Sequence, residues 1–179
     1  MTRLPRAQRR EQILEAATEV VSRNGFAVTG LDDIAAAAGV TRMILYRHFE
    51  SRDDLCRAVL DRAARRLAEA AGDDIGAASV RALVGWAARE PAAFRVLFRH
   101  AVHDPTFAPV AVDVRAAMVA EVHTRITEDT PPGPWTRWSA ELAVSTCLEA
   151  VLAWLDVGAP DPRQAEERIT TAVAAVVTA

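Results

Sequence analysis

Along nearly the whole chain apolar residues return every three or four positions and almost nowhere alternate, the spacing of one face of an α-helix. In "RREQILEAATEVVSRNG", Ile13, Ala17, Val20 and Val21 share a face, and Gly25 stands where a helix would close. "DDIAAAAG" reads as a short alanine-rich helix whose leading acids suit the positive end of its dipole. "TRMILYRHF", residues 41–49, reads as another short helix with Thr41 placed to cap it. A long helix opens at Ser51, with Asp53 and Asp54 in its first turn and Leu55, Val59, Leu60 and Ala63 on its inner face.

The pattern lapses at "AGDDIGA" (71–77), which divides a head of residues 1–70 from a body of residues 71–179. A helix is expected from Val80 to Glu90, ended by Pro91. The same proline starts a segment with Phe94, Leu97, Phe98 and Ala101 on one stripe. "DPTFAP" breaks the chain, and Val114, Met118, Val122 and Ile126 then face one way. "VAVDV" at the start of that stretch alternates like a strand, but a lone strand has nothing to pair with, so helix is the expectation. "TPPGP" is a loop, residues 135–157 form a long helix, "APDP" breaks it, and the chain ends in a last helix. The expected fold class is all-α: a three-helix helix-turn-helix head joined by a long helix to a helical-bundle domain.

Hydrophobic residues make up 51% of the 179 and charged residues 25%, a balance that supports a packed core and argues against disorder. No run of about 18 apolar residues is uninterrupted. "LAVSTCLEAVLAWL" comes nearest and carries Glu149, so no membrane span is expected. The N-terminus lacks the apolar core of a secretory signal. Cys56 and Cys147 are too far apart for metal or redox spacing and are expected as reduced core thiols, which fits a cytoplasmic location. Net charge is −3, unevenly spread: residues 1–67 hold 12 Arg against 9 acids, the remainder 9 Arg against 15 acids, and there is no Lys. A basic head on an acidic body suits a nucleic-acid module joined to something that does not touch nucleic acid.

A helix-turn-helix needs a small residue where its helices cross, a turn residue tolerant of positive φ, and an apolar anchor on the second helix. Ala35, Gly39 and Leu45 supply these, with Ile34, Ala38 and Val40 to fill the small core, although a plain helical corner would use the same three. In residues 41–49, Leu45 and Phe49 point inward at i,i+4 and leave Arg42, Met43, Tyr46, Arg47 and His48 to solvent. Tyr and His beside Arg donate well to phosphate oxygens, and Arg can take guanine O6 and N7 together. Ser51 and Arg52 open the long helix, whose free N–H groups can hold a further phosphate. The basic start (Arg3, Arg6, Arg9, Arg10) reads as a solvated arm able to reach backbone or minor groove.

As a whole, "NGFAVTGLDDIAAAAGVTRMILYRHFESRDDL" resembles the DNA-binding head of the TetR family of transcriptional regulators. The resemblance implies that Tyr46 and His48 clamp phosphate, that Arg52 stands where the family usually has Lys, that Thr41 caps the recognition helix, and that Thr29 opens the preceding helix near the DNA backbone. Met43-Ile44 replaces a small, hydroxyl-bearing pair, and Gly30 a second hydroxyl residue; these departures bear on which operator sequence is read.

The body shows no Gly-rich phosphate loop, no HExxH and no nucleophile–His–acid set, so no catalysis and no cofactor are expected. His100 and His103 beside Asp104 have ligand-like spacing but read as a structural or solvated pair, as does His123. The resemblance implies a domain that binds a small effector and dimerises. The expected effector wall is Trp86, Phe94, Phe98, Met118, Cys147, Val151 and Trp154, apolar enough for a hydrophobic or aromatic compound. The expected homodimer face is Trp138, Leu142 and Leu152 with Ile169, Val173 and Val176. The reading is a ligand-responsive repressor on palindromic double-stranded DNA; the alternative is a helical carrier or enzyme whose basic head does not bind DNA.

Overall fold

The computed structural model describes residues 5–71 and 77–178, and within them the chain is helical with no strand. The proposed boundary at 71–77 falls largely outside the described residues. The head comprises α1 (Arg6–Asn24), α2 (Leu31–Ala37) and α3 (Arg42–Tyr46), and α4 (Arg52–Ala71) leads away from it. The body holds α5 (Ala77–Arg89), α6 (Pro91–Arg95), α7 (Ala108–Asp129), α8 (Pro134–Asp156) and α9 (Pro162–Thr178). The sequence suggested a plain helix after Pro91. Instead α6 runs on as a π-turn (Val96–His100) and a 3-10 turn (Ala101–His103).

The head's small core follows the sequence pattern. Ile13, Ala17, Val20 and Val21 of α1 close over Ile34, Ala35 and Ala38, and Leu45 and Phe49 are buried behind them. Gly25 ends α1 at φ 78° and donates its N–H to the Val21 carbonyl, while Gly39 makes the turn at φ 63°, a conformation costly for any other residue. Asp33 accepts the Gly30 N–H at 2.9 Å and so caps α2. At α4, Ser51 Oγ accepts the Asp54 N–H and Asp54 in turn accepts the Glu50 N–H, a reciprocal cap. Thr41 occupies the cap position of α3 with extended backbone, but its hydroxyl makes no capping bond.

Head and body share one apolar core, joined through α1, α4 and the α6 segment. Phe26, just beyond α1, lies with its ring centroid 4.6 Å from that of Phe107, just before α7. Glu11 of α1 pairs with Arg62 and Arg66 of α4, and Arg66 also reaches Glu90 beside α6. In the body α8 packs between α7 and α9. Among the described residues α8 is the single helix long and apolar enough to cross a membrane, and half of that stretch is packed inside. About half of its apolar surface is therefore used by neighbouring helices.

Candidate nucleic-acid interface and effector cleft

The buried pair Leu45 and Phe49 fixes how α3 sits, and that placement sends the intervening side chains outward. Arg42, Met43, Tyr46 and Arg47 are exposed, Met43 by 67%. Ile44, by contrast, packs half-buried against the core, so of the two bulky substitutions only Met43 faces outward.

Two expected DNA contacts are corrected. Thr29 is 2% exposed and its hydroxyl donates to the Gly25 carbonyl at 2.7 Å, so it shapes the loop before α2 and presents nothing outward. Arg52 donates from Nε to the Thr29 carbonyl at 2.8 Å, from Nη2 to the Phe26 carbonyl, and pairs with Asp53. It braces the start of α4 against the loop 26–29. A guanidinium so occupied has fewer N–H groups left for a phosphate.

The basic N-terminus is also corrected. Arg6, Arg9 and Arg10 are the first turns of α1, with Arg3 outside the described residues. The Arg10 guanidinium lies 4.6 Å over the Phe49 ring, a cation–π contact, and Arg9 bonds Gln12, which reaches the Ala38 carbonyl. These arginines gather beside His48, whose Nδ1 is buried without a partner. Partial burial first, then Arg6, Arg10 and Arg9, push the His48 pKa below its ordinary 6.5. Because the folded value lies below the unfolded one, the unfolded chain takes up the proton first, and stability is lost as pH falls below about 6.5. His48→Gln is expected to remove that part of the pH dependence, measured by urea unfolding between pH 7.5 and 5.5.

The body contains a cleft of about 280 Å³. Phe98, Arg99, Val102 and His103 line it from the π- and 3-10 turns, Ala111 and Arg115 from α7, and Leu148, Glu149 and Leu152 from α8. Of the expected effector wall only Phe98 lies here. Trp86 borders a second, open cleft with Arg66, Glu69, Ala70, Arg89 and Glu90. Phe94, Cys147 and Val151 are packed core, Met118 is half-buried packing, and Trp154 donates from Nε1 to the Pro160 carbonyl at 2.7 Å, holding the α8–α9 loop. The cleft beside the π-turn is also more polar than expected. Arg99 pairs with Asp156 through both nitrogens (2.6 and 2.8 Å), and Arg115 bonds Ser145 and Glu141. No local signal announces this cleft, because its charged residues come from three helices far apart in sequence.

The remaining expectations divide similarly. Leu152 and Ile169 are buried within the subunit and cannot form a dimer face, whereas Trp138 is exposed and Leu142, Val173 and Val176 are half-exposed. Trp135, 76% exposed, packs edge-on against Trp138. His100 Nε2 lies 2.9 Å from the Ser22 carbonyl oxygen and His123 Nε2 3.3 Å from Thr136 Oγ1, both structural contacts. Among the described residues no three His, Cys, Asp or Glu side chains converge as metal ligands. Cys56 and Cys147 are free and buried, their thiols pushed up to about 11 by burial.

The head is a basic helix-turn-helix with its second helix presented outward, and its connecting helix docks on an all-helical body. Residues 13–59 match the model of the bacterial regulatory proteins of the tetR family. The head is 50% identical over 60 residues to the HTH-type transcriptional activator FasR of Mycolicibacterium smegmatis, a match covering 34% of this chain and 27% of that one. The chain thus spans about a quarter of the curated relative it matches. Over the whole length it is similar to a TetR-like transcriptional regulator from Rhodococcus sp. RHA1 (TM-score 0.82, 23% identity, 96% of each chain). It is also similar in fold to AibR, solved in complex with isovaleryl coenzyme A and operator DNA (TM-score 0.71, 18% identity, 90% of this chain and 96% of that one). The head, over residues 13–59, is thus similar to the tetR family of bacterial regulatory proteins, and the whole chain shares the fold of the TetR-like regulator from Rhodococcus.

Proposed function

We propose that the protein is a ligand-responsive transcription regulator that binds a two-fold operator as a homodimer in the bacterial cytoplasm, and that it is not an enzyme. The observation that carries this reading is α3: four outward side chains, Arg42, Met43, Tyr46 and Arg47, on a helix pinned by two buried anchors, Leu45 and Phe49. Arg47 and Tyr46 with the neighbouring His48 take phosphates, Arg42 and Met43 face base edges, and the exposed Thr41 hydroxyl joins the backbone contacts. The regulator represses wherever its operator overlaps the promoter.

The reading is tested by selecting random duplex DNA with the purified protein and titrating binding against salt. Enrichment of a near-palindrome, and a log–log salt slope that falls by about 1.8 in Arg47→Ala (about 0.9 for each subunit of the dimer), support it. Salt-insensitive binding without enrichment would favour a carrier or enzyme.

The partner surface is the side of α8 and α9 bearing Trp138, Leu142, Val173 and Val176. Trp138→Arg places a charge where an aromatic anchor is buried in the dimer. It is expected to weaken dimerisation by about 30-fold or more, measured by sedimentation equilibrium.

The effector enters the cleft beside the π-turn. Charged and apolar walls suit an amphipathic molecule, more polar than the hydrophobic or aromatic compound that composition suggests. AibR, of the same fold, binds isovaleryl coenzyme A as well as operator DNA. The π-turn that lines the cleft through Phe98 and Arg99 also carries His100, which touches the last turn of α1. A ligand that prefers one arrangement of this turn shifts the head by as much as its affinities for the two arrangements differ.

A further inference from the structure

Resting on the DNA-binding reading, we infer that Asp32 is a positioning residue that holds Arg42 so that it selects the base at one operator position. Two carboxylates stand side by side in the first turn of α2, on the face of the head that carries α3. Asp33 is accounted for, because it caps Gly30. Asp32 caps nothing, and its side chain is 79% exposed. Its Oδ2 lies 3.4 Å from Arg42 Nη1, across the turn and ten residues along the chain. In water such a pair contributes little to stability. An exposed carboxylate beside a phosphate backbone also opposes binding, so its consequence lies in what it does to Arg42.

The second contact comes from α3 itself. The Arg42 guanidinium carbon lies 5.9 Å from the centroid of the Tyr46 ring, one turn further on. The guanidinium is thus held from two sides, by a carboxylate on one nitrogen and by an aromatic ring. Asp32 and Tyr46 are the side chains that engage it, and a guanidinium so held still has N–H groups to offer. A bidentate grip on guanine O6 and N7 needs the plane of the guanidinium fixed as well as its charge delivered. An untethered arginine at the start of a short helix would reach phosphates as readily as base edges. Held by Asp32, it is turned from a phosphate ligand into a base reader.

The test compares the wild type with Asp32→Asn, Arg42→Ala and the double variant. Each is used to select random duplexes, then titrated against the enriched site carrying every single base change. Asp32→Asn is expected to lower discrimination about tenfold at one base pair in each half-site, the base pair at which Arg42→Ala loses its preference. The double variant is expected to match Arg42→Ala, and low-salt affinity of Asp32→Asn for random duplex is expected to stay level or rise as a negative charge is lost. Unchanged discrimination in Asp32→Asn, or a change at a different base pair from Arg42→Ala, overturns the inference while leaving DNA binding intact. A wild type that enriches no sequence removes the DNA-binding reading itself. Far-UV circular dichroism of the variants checks that the exposed substitutions leave the fold in place.

Discussion

Phe107→Ala is expected to lower the free energy of unfolding by about 3–5 kcal/mol, read as a fall in urea midpoint at unchanged m-value. Phe107 is 1% exposed and packs against Phe26, itself 2% exposed. Truncation removes apolar area and leaves a void that closes poorly, because the two rings belong to constrained segments. Phe26 stands just after α1 with its carbonyl tied to Arg52, and Phe107 leads directly into α7. The effect reaches function because this contact ties head to body. If an effector in the cleft acts through the α6 segment, the variant is expected to bind duplex DNA yet respond weakly to the ligand. A loss below about 1 kcal/mol would show that the head–body junction is not packed in this way.

The second large effect concerns charge. Arg62 is 4% exposed, and its Nη2 and Nε lie 2.6 and 2.7 Å from Glu11 Oε1. Glu11→Ala leaves a buried guanidinium without its carboxylate and is expected to cost about 3 kcal/mol, the lower end of the range for broken buried pairs because Glu11 is itself half-exposed. Arg62→Met removes the charge together with the need to neutralise it and is expected to be nearly neutral. Adding Arg62→Met to Glu11→Ala should therefore restore most of the lost midpoint in urea. If the double variant is as unstable as Glu11→Ala alone, Glu11 acts through something other than Arg62. Arg66 provides the internal comparison, since it keeps Glu90 at 2.8 Å when Glu11 is removed.

What was legible beforehand is what neighbours within a helix decide. The inward spacing of Leu45 and Phe49, the glycine turns at 25 and 39 and the Ser51 cap depend on residues at most a few positions apart, and each stands in the structure as the pattern implied. Side chains that act across the fold were misjudged. Thr29 matches a residue near the DNA backbone, but the loop 25–29 turns its hydroxyl inward. Arg52 occupies a lysine position, yet two backbone carbonyls lie within its reach and occupy it. The arginines at the start read as an arm in the sequence because Arg10 finds Phe49 only through tertiary packing. Among the effector residues, large apolar side chains were favoured. Such side chains pack best against one another, and the cleft opens where Arg99, Arg115 and Glu149 resist close packing.

The sequence by itself determined that the chain is helical, where most helices begin and end, and that its basic first third carries a helix-turn-helix. Helix periodicity, caps and turn glycines are short-range properties, and they combine here without conflict. Only the tertiary structure decided which of the apolar residues on α8 and α9 are spent inside the subunit, taking Leu152 and Ile169 and leaving Trp138, Leu142, Val173 and Val176 outward. It also decided where the cleft lies, that α6 widens into a π-turn facing it, and that Asp32 meets Arg42. Each of these depends on how helices distant in sequence cross, and a crossing is set by the shape of both surfaces, which no single helix encodes.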